Sequence, residues 1–103
     1  MVNELKIANK LIGRNHPPFI IAEMSGNHNQ SLERALEIVV AAAKTGAHAL
    51  KIQTYTPDTM TLDLDEREFH ISDSNSLWAG NSLYKLYGEA YTPWEWHKPI
   101  FER

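Results

Sequence analysis

The chain has 103 residues, a formal net charge of −3 and no cysteine. The lack of cysteine excludes disulfides, thiolate metal sites and cysteine nucleophiles, and it is typical of the cytoplasm, where we expect the protein to reside. Basic residues are interspersed with acidic ones, and no apolar stretch approaches the roughly 20 residues of a membrane span. We therefore expect neither nucleic acid nor a membrane as a partner.

The length allows one core, but a closed (β/α)₈ barrel needs roughly 200 to 250 residues.

Two short apolar runs open the chain, at residues 5–8 and 10–13 on either side of Asn9. Because glycine and proline follow them, we predict a β-hairpin within residues 1–18. Residues 19–22 then form the continuous apolar run Phe-Ile-Ile-Ala. Such a run is typical of a buried strand in a parallel sheet that is covered on both faces.

A helical pattern follows this strand. Ser31 is a favourable N-cap, and Lys44 and Gly46 are typical of a helix end. The apolar positions repeat at helical spacing at Leu32, Ala35, Leu36, Val39, Val40 and Ala43. A second strand is predicted over residues 48–55, so residues 19–55 should form a βαβ unit with a right-handed crossover.

Residues 56–81 are polar and irregular, except for a short apolar excursion at residues 69–71. Long loops in compact domains are often functional, so we predict an active-site loop here. Residues 82–103 form a predicted helical segment. Its signals are an apolar pattern at Leu83, Leu86 and Tyr87 and a second helix start near Pro93.

Three aromatic residues near the end of the chain, Trp94, Trp96 and Phe101, are predicted to pack in the core. Lys98 is the one lysine or arginine between them, and this sparse positive charge disfavours a platform for stacked bases. The glycines match neither GxGxxG nor GxxxxGK[ST], which disfavours a nucleotide-binding fold.

Polar side chains stand where the two predicted parallel strands end, which is where α/β proteins keep their active sites. Alternation along a strand places Lys51 and Gln53 on one face, with Leu50 and Ile52 on the other. A lysine offers a cation to a phosphate or carboxylate, and Gln53 can donate and accept hydrogen bonds. Glu23 can accept sugar hydroxyls or move a proton. The pattern alone also allows a structural ion pair between Glu23 and Lys51, with Gln53 as a solvated edge residue.

Asn27, His28 and Asn29 follow the first strand, and we interpret them as a structural turn, because asparagine tolerates unusual backbone angles. His28 could be a ligand, a proton carrier or a hydrogen-bonded strut, and we favour the strut. The other histidines, at 16, 48, 70 and 97, form no pair at metal-ligand spacing. We therefore predict no metal site made wholly within this chain.

Several motifs in order resemble one family. They are FIIAEMSGNHNQS at residues 19–31, KIQTYTPDTMT at 51–61 and LYKLY at 83–87. Together they resemble the opening of the sialic acid synthase family, phosphoenolpyruvate-dependent enzymes that make nonulosonic acids, and they are most similar to its pseudaminic acid synthase branch. Ser25 and Gln30 stand where the commoner sialic-type pattern has glycines. This difference favours a diacetamido, deoxygenated sugar over N-acetylmannosamine.

The resemblance implies an α/β fold, the N-terminal portion of a TIM (β/α)₈ barrel that begins with a short β-hairpin. Residues 1–103 would end after about two βα units, and a homodimer is expected for the full-length protein. The implied reaction joins carbon 3 of phosphoenolpyruvate to the aldehyde of an acetamido sugar and releases phosphate. A divalent metal, Mn²⁺ or Mg²⁺, would activate the aldehyde, with its ligands expected outside this chain.

The resemblance also implies roles for single residues. Lys51 should meet the phosphoenolpyruvate anion, whereas Glu23 and Gln53 should face the sugar, and these three are the expected catalytic residues. Asn81, in the loop before Leu83, is a further candidate for a sugar contact.

Two alternatives stay open. The chain could be a non-catalytic small α/β interaction module, whose exposed strand edge and apolar helix faces would need a partner. It could also belong to another phosphoenolpyruvate-dependent aldol-type synthase with a different acceptor. In isolation we expect the chain to be inactive, because two strands cannot preorganise a site that eight strands share.

Overall fold

A computed structural model describes residues 3–64, 69–71, 75 and 80–103 of the protein. The elements in chain order are β1 (Glu4–Ile7), β2 (Lys10–Gly13), β3 (Ile21–Glu23), α1 (Leu32–Lys44), β4 (Ala49–Lys51), α2 (Pro57–Met60), α3 (Leu83–Ala90), a 3₁₀ turn (Trp94–Trp96) and α4 (His97–Glu102). They form a small α/β unit with two separate two-stranded sheets. The barrel itself stays a prediction.

The first sheet is the N-terminal hairpin of β1 and β2. The strands pair antiparallel, with Leu5 opposite Ile12. The two turn residues, Ala8 and Asn9, have φ angles of 47° and 67°. Two left-handed residues are typical of the type I′ turn, whose twist matches that of the flanking strands.

The second sheet pairs β3 with β4 in parallel, and α1 connects them, as the βαβ pattern predicts. Ile21 lies opposite Ala49, and Glu23 lies opposite Lys51. Each strand has three residues and is shorter than predicted. Strand β3 ends at Glu23 because the chain turns directly after Met24, where Ser25 has a φ of 52°.

Helix α1 begins and ends where the sequence predicts. The Ser31 Oγ accepts a hydrogen bond from the Arg34 amide at 3.2 Å, which satisfies one of the free N–H groups of the first turn. Lys44 lies in the last turn, and Gly46 follows with a φ of 85°. The left-handed conformation after the helix is one that glycine adopts without steric cost.

The core lies on one side of the parallel sheet. Met24 and Ala35 are fully buried, and Ile100 of α4 is almost fully buried. The partly buried residues packed around them are Leu32, Leu36, Ile38, Val39, Leu50, Ile52 and Trp96. Leu50 and Ile52 thus face the helices, as predicted, and α1 and α4 cover this side of the sheet.

The other side of the parallel sheet is open, so the predicted burial of the first strand on both faces is wrong. Ile20 and Ile21 expose 49% and 54% of their surface. Helices pack against a single face of β3 and β4, and the described residues supply no layer for the second face. The prediction for the aromatic residues is also wrong in part, because Trp94 and Phe101 are exposed and Trp96 alone of the three packs against the core. The short helix α4 turns Ile100, and not Phe101, inward.

The predicted irregular loop over residues 56–81 contains one helical turn, α2. Thr56 and Thr59 form a reciprocal capping box around it, and Pro57 occupies its first turn. Both features favour a helix start, and they outweigh the irregular polar pattern of the surrounding residues. Tyr84 of α3 donates a hydrogen bond to Asp58 of α2 at 3.1 Å. Residues 65–68, 72–74 and 76–79 of the predicted loop lie outside the described residues.

In the ranges that the structure describes, no helix has both the length and the apolar character needed to cross a bilayer.

Replacing Ser31 with alanine should lower the free energy of unfolding by about 1 kcal/mol, because the Arg34 amide loses its capping acceptor. Urea denaturation of the two proteins measures the difference. Ser31→Asp is the matched control, since its carboxylate can accept the same hydrogen bond and favours the helix N-terminus. Equal losses in both variants would contradict the capping role.

Candidate functional site

The C-terminal ends of β3 and β4 bring Glu23 and Lys51 together. The two residues are partners in the strand register, and Lys51 Nζ lies 3.2 Å from Glu23 Oε1. The side chain of Glu23 remains 57% exposed and that of Lys51 remains 53% exposed. An ion pair this exposed contributes at most about 1 kcal/mol, so a ligand can compete for either partner at little cost.

Gln53 lies in a different place from this pair. It lines a cavity of about 520 Å³ at the same end of the sheet. The other residues that line the cavity are Ser25, Gly26, Asn27, Asn29, Arg34, Tyr55, Leu86, Tyr87 and Ala90. Neither Glu23 nor Lys51 is among them. The cavity lining therefore separates Gln53 from the Glu23–Lys51 pair.

The cavity wall combines amides, a phenol and one guanidinium. The Arg34 Nε donates to the Asn27 carbonyl at 2.9 Å, which fixes the cation beside the turn. The pKa of Tyr55 is raised above its ordinary value, first by burial and then by the neighbouring Tyr87. The Tyr55 phenol therefore stays protonated at neutral pH and can donate. Such a wall suits a polar ligand with hydroxyl, acetamido or carboxylate groups.

The turn after β3 forms much of this wall. Ser25, Asn29 and Gln30 adopt left-handed φ angles of 52°, 49° and 56°. Asn27 Nδ2 donates to the Met24 carbonyl at 2.9 Å, so its side chain stabilises its own turn. Left-handed serine and glutamine are uncommon, and the surrounding contacts must hold them in place.

His28 is fully buried inside this turn. Its Nδ1 accepts a hydrogen bond from the Gln30 amide at 3.0 Å, so the ring proton must be on Nε2, which donates to the Thr92 Oγ1 at 3.3 Å. The edge of the ring meets Trp96, with centroids 5.1 Å apart. Burial lowers the pKa of His28. Both nitrogens of the neutral ring are used within the protein, which fits a strut better than a metal ligand.

Asn81 is not brought to the cavity. It is half-buried and precedes Ser82, the N-cap of α3, and its backbone carbonyl accepts a hydrogen bond from the Ile71 amide at 3.0 Å. The neighbouring residues 76–79 lie outside the described part of the chain.

Within the described ranges, no three histidine, cysteine, aspartate or glutamate residues lie close enough together to hold a metal ion. The expectation that a metal would take its ligands from outside this chain stays a prediction.

Sequence reasoning missed Arg34, Tyr55 and Thr92. Arg34 could have been found, because the first turn of a crossover helix lies near the edge where the preceding strand ends. Tyr55 follows Gln53 at the alternating spacing that was applied to Lys51. Thr92 carries no local signal, since its partner His28 is 64 residues away.

The combination of a βαβ unit with polar side chains at the strand ends defines the α/β class in which such ends bind ligands. Comparisons with known proteins identify the family within this class to which the chain belongs. The model of the NeuB family matches residues 38–103. Pseudaminic acid synthase of Campylobacter jejuni is 56% identical over 84 residues, which cover 82% of this chain and 24% of that protein. The chain belongs to the NeuB family, and its predicted similarity to pseudaminic acid synthases is confirmed.

Two further relatives agree with this assignment. Pseudaminic acid synthase of Helicobacter pylori is 49% identical over 86 residues, covering 84% of this chain and 25% of that protein. The spore coat polysaccharide biosynthesis protein SpsE of Bacillus subtilis is 33% identical over 97 residues, covering 94% and 25%. The chain thus spans about a quarter of the length of the curated relatives it matches.

Lowering the pH from 7 to 5 should destabilise the protein through His28. Its pKa is lowered in the folded state, so the unfolded chain binds more protons, and stability is lost as the pH falls through the unfolded value of about 6.5. Urea denaturation at pH 7, 6 and 5 measures the slope. In His28→Gln, which cannot titrate, the slope should be smaller, and equal slopes would show that His28 does not contribute.

Proposed function

We propose that the protein carrying this chain condenses phosphoenolpyruvate with an acetamido sugar aldehyde to form a nonulosonic acid and release phosphate. The observation that carries the proposal is the 56% identity to a pseudaminic acid synthase over 82% of the chain. In the proposed reaction, carbon 3 of phosphoenolpyruvate attacks the aldehyde carbon and water attacks carbon 2. The carbon–oxygen bond to phosphate then breaks.

Lys51 is proposed to bind the phosphoenolpyruvate anion. Its ammonium group stands at the C-terminal end of β4, and its ion pair with Glu23 is more than half exposed. Phosphoenolpyruvate carries a phosphate as well as a carboxylate, so its negative charge exceeds that of the single Glu23 carboxylate and it can displace Glu23 from Lys51. Glu23 would then be free to accept a sugar hydroxyl or move a proton.

Gln53 is proposed to face the sugar. It shares the cavity with Asn27, Asn29 and Arg34, which supply several donors and acceptors for hydroxyl and acetamido groups. Asn81 remains a proposed sugar contact through the adjoining loop.

A divalent metal, Mn²⁺ or Mg²⁺, would polarise the sugar aldehyde as a Lewis acid. The described residues of this chain contain no set of three suitable ligands, so we assign it no residue here. A TIM barrel, a homodimer and a cytoplasmic location are proposed on the same family basis.

A second candidate function is a non-catalytic interaction module. The exposed face of the parallel sheet favours it, since Ile20 and Ile21 are about half exposed and could pack against a partner. Such a module would bind a protein and show no affinity for phosphoenolpyruvate. Another phosphoenolpyruvate-dependent aldol-type synthase would instead release phosphate with a different acceptor.

Phosphate release tests these alternatives. The purified protein is incubated with phosphoenolpyruvate, Mn²⁺ or Mg²⁺, and a panel of acetamido and diacetamido aldoses. A chimera, in which these 103 residues replace the matching quarter of the Campylobacter synthase, provides a second assay. Release that depends on a sugar supports the proposal, and its absence in both proteins contradicts it.

Replacing Lys51 with alanine should raise the KM for phosphoenolpyruvate by at least about tenfold, because a charge-assisted contact to the anion is lost. Steady-state phosphate release, in the protein or in the chimera, measures the change. Lys44→Ala is the matched control, since Lys44 is an exposed lysine in the last turn of α1. An unchanged KM in Lys51→Ala would reject the assigned role.

A further inference from the structure

Residues 90–92 lie between the turn after β3 and the end of β4, and we call this segment the wedge. Its backbone bonds to both sides. The Thr92 amide donates to the Gln53 carbonyl at 3.0 Å, and the Tyr91 carbonyl accepts from Gln30 Nε2 at 2.6 Å. The wedge therefore connects two of the chain segments that line the cavity, the turn after β3 and the segment that contains Gln53.

Thr92 is the residue of the wedge that contacts both segments by itself. It is fully buried. While its amide holds Gln53, its Oγ1 accepts the hydrogen bond from His28 Nε2 at 3.3 Å. His28 in turn accepts from the Gln30 amide at 3.0 Å. A continuous series of hydrogen bonds thus leads from Gln30 through His28 and Thr92 to Gln53.

The wedge is also tightly packed against the turn. A Cβ added at Gly26 would lie 2.8 Å from the Ala90 Cβ and 3.2 Å from the Ala90 carbonyl oxygen. Real Cβ atoms essentially never approach another atom as closely as 2.8 Å, so a side chain at position 26 would force the wedge and the turn apart. The distance between Gln53 and the turn is consequently fixed from two directions, by packing and by hydrogen bonds.

We propose that Thr92 is a positioning residue for the sugar half of the site: by bonding Gln53 and His28 together, it sets the width of the cavity in which Gln53 and the Asn27–Asn29 turn meet the substrate. This inference rests on the proposed function. Within the part of the chain that the structure describes, the hydrogen bonds of Thr92 lead to Gln53 and His28 and not to the Glu23–Lys51 pair, so its effect should fall on the sugar and spare phosphoenolpyruvate.

Thr92→Val tests the proposal in the protein that carries this chain. Valine matches threonine in shape and keeps the amide bond to Gln53, but it leaves the His28 Nε2–H without an acceptor. Because small displacements of a binding group are costly, we expect the KM for the sugar to rise about tenfold and the KM for phosphoenolpyruvate to change less than about twofold. Steady-state phosphate release with each substrate varied measures both values.

Two further variants serve as controls. Thr92→Ser restores the acceptor and should return the sugar KM to within about threefold of the original value. Thr45→Val makes the same substitution away from the cavity, where the Thr45 Oγ1 donates to the Ala42 carbonyl and accepts from the Ala47 amide at the C-cap of α1, and should move neither KM. Equal changes in both KM values of Thr92→Val, or no change in either, would overturn the positioning role.

Hydrogen exchange separates failure of this inference from failure of the proposed function. If the unaltered protein releases no phosphate, the proposed function fails, and exchange into peptides covering residues 26–31 and 50–54 decides the positioning role alone. Faster exchange in Thr92→Val but not in Thr92→Ser supports it, and unchanged exchange refutes it. Should Thr92→Val not fold, His28→Leu against His28→Gln gives the same comparison from the other partner, because glutamine keeps a donor toward Thr92.

Discussion

The parallel pairing of β3 with β4 is the constraint on which the rest of the structure depends. Its register places Glu23 opposite Lys51, and the Met24 amide donates to the Lys51 carbonyl at 3.0 Å where the pairing ends. Beyond this bond the two segments of the chain separate. The segment after β3 enters the turn that contains His28, and the segment after β4 continues to Gln53. The positions of the side chains that are candidates to contact an anion or a sugar at this end of the sheet depend on where the pairing ends.

The small core explains why the site is open. Burial is concentrated on the side of the sheet that α1 and α4 cover, and the Cα radius of gyration is 17.1 Å, against about 13 Å for a compact domain of 100 residues. The uncovered face carries Ile21 together with the exposed Glu23–Lys51 pair. The charged groups of Glu23 and Lys51 stay hydrated, so no dry environment fixes their positions. A preorganised anion site needs further layers over this face.

Local signals predicted the local structure, and the site only in part. Ser31 and Gly46 predict the ends of α1 correctly because capping interactions act within one turn. The predicted pairing of two neighbouring parallel strands was enough to place Glu23 beside Lys51. Gln53 lines the cavity while Lys51 does not, and β4 ends between them, so strand pairing does not set the position of Gln53. The contact of Thr92 with His28 spans 64 positions, and no periodicity or cap records such a pairing. The predicted burial of residues 19–22 on both faces is wrong for a different reason. An apolar run shows that packing another layer against it would be favourable, but it does not show that such a layer is present.

The two halves of the candidate site are held by different forces. The Glu23–Lys51 pair depends on strand register and on an exposed Coulombic contact, which salt screens. Gln53 and the turn depend on buried hydrogen bonds through Thr92 and His28, which salt hardly affects, and on a ring that must stay neutral. High salt should therefore weaken the anion half alone, whereas acid that charges His28 should disturb the sugar half first. The lysine and the cavity thus respond to different conditions, because an exposed ion pair holds the first and a buried series of hydrogen bonds holds the second.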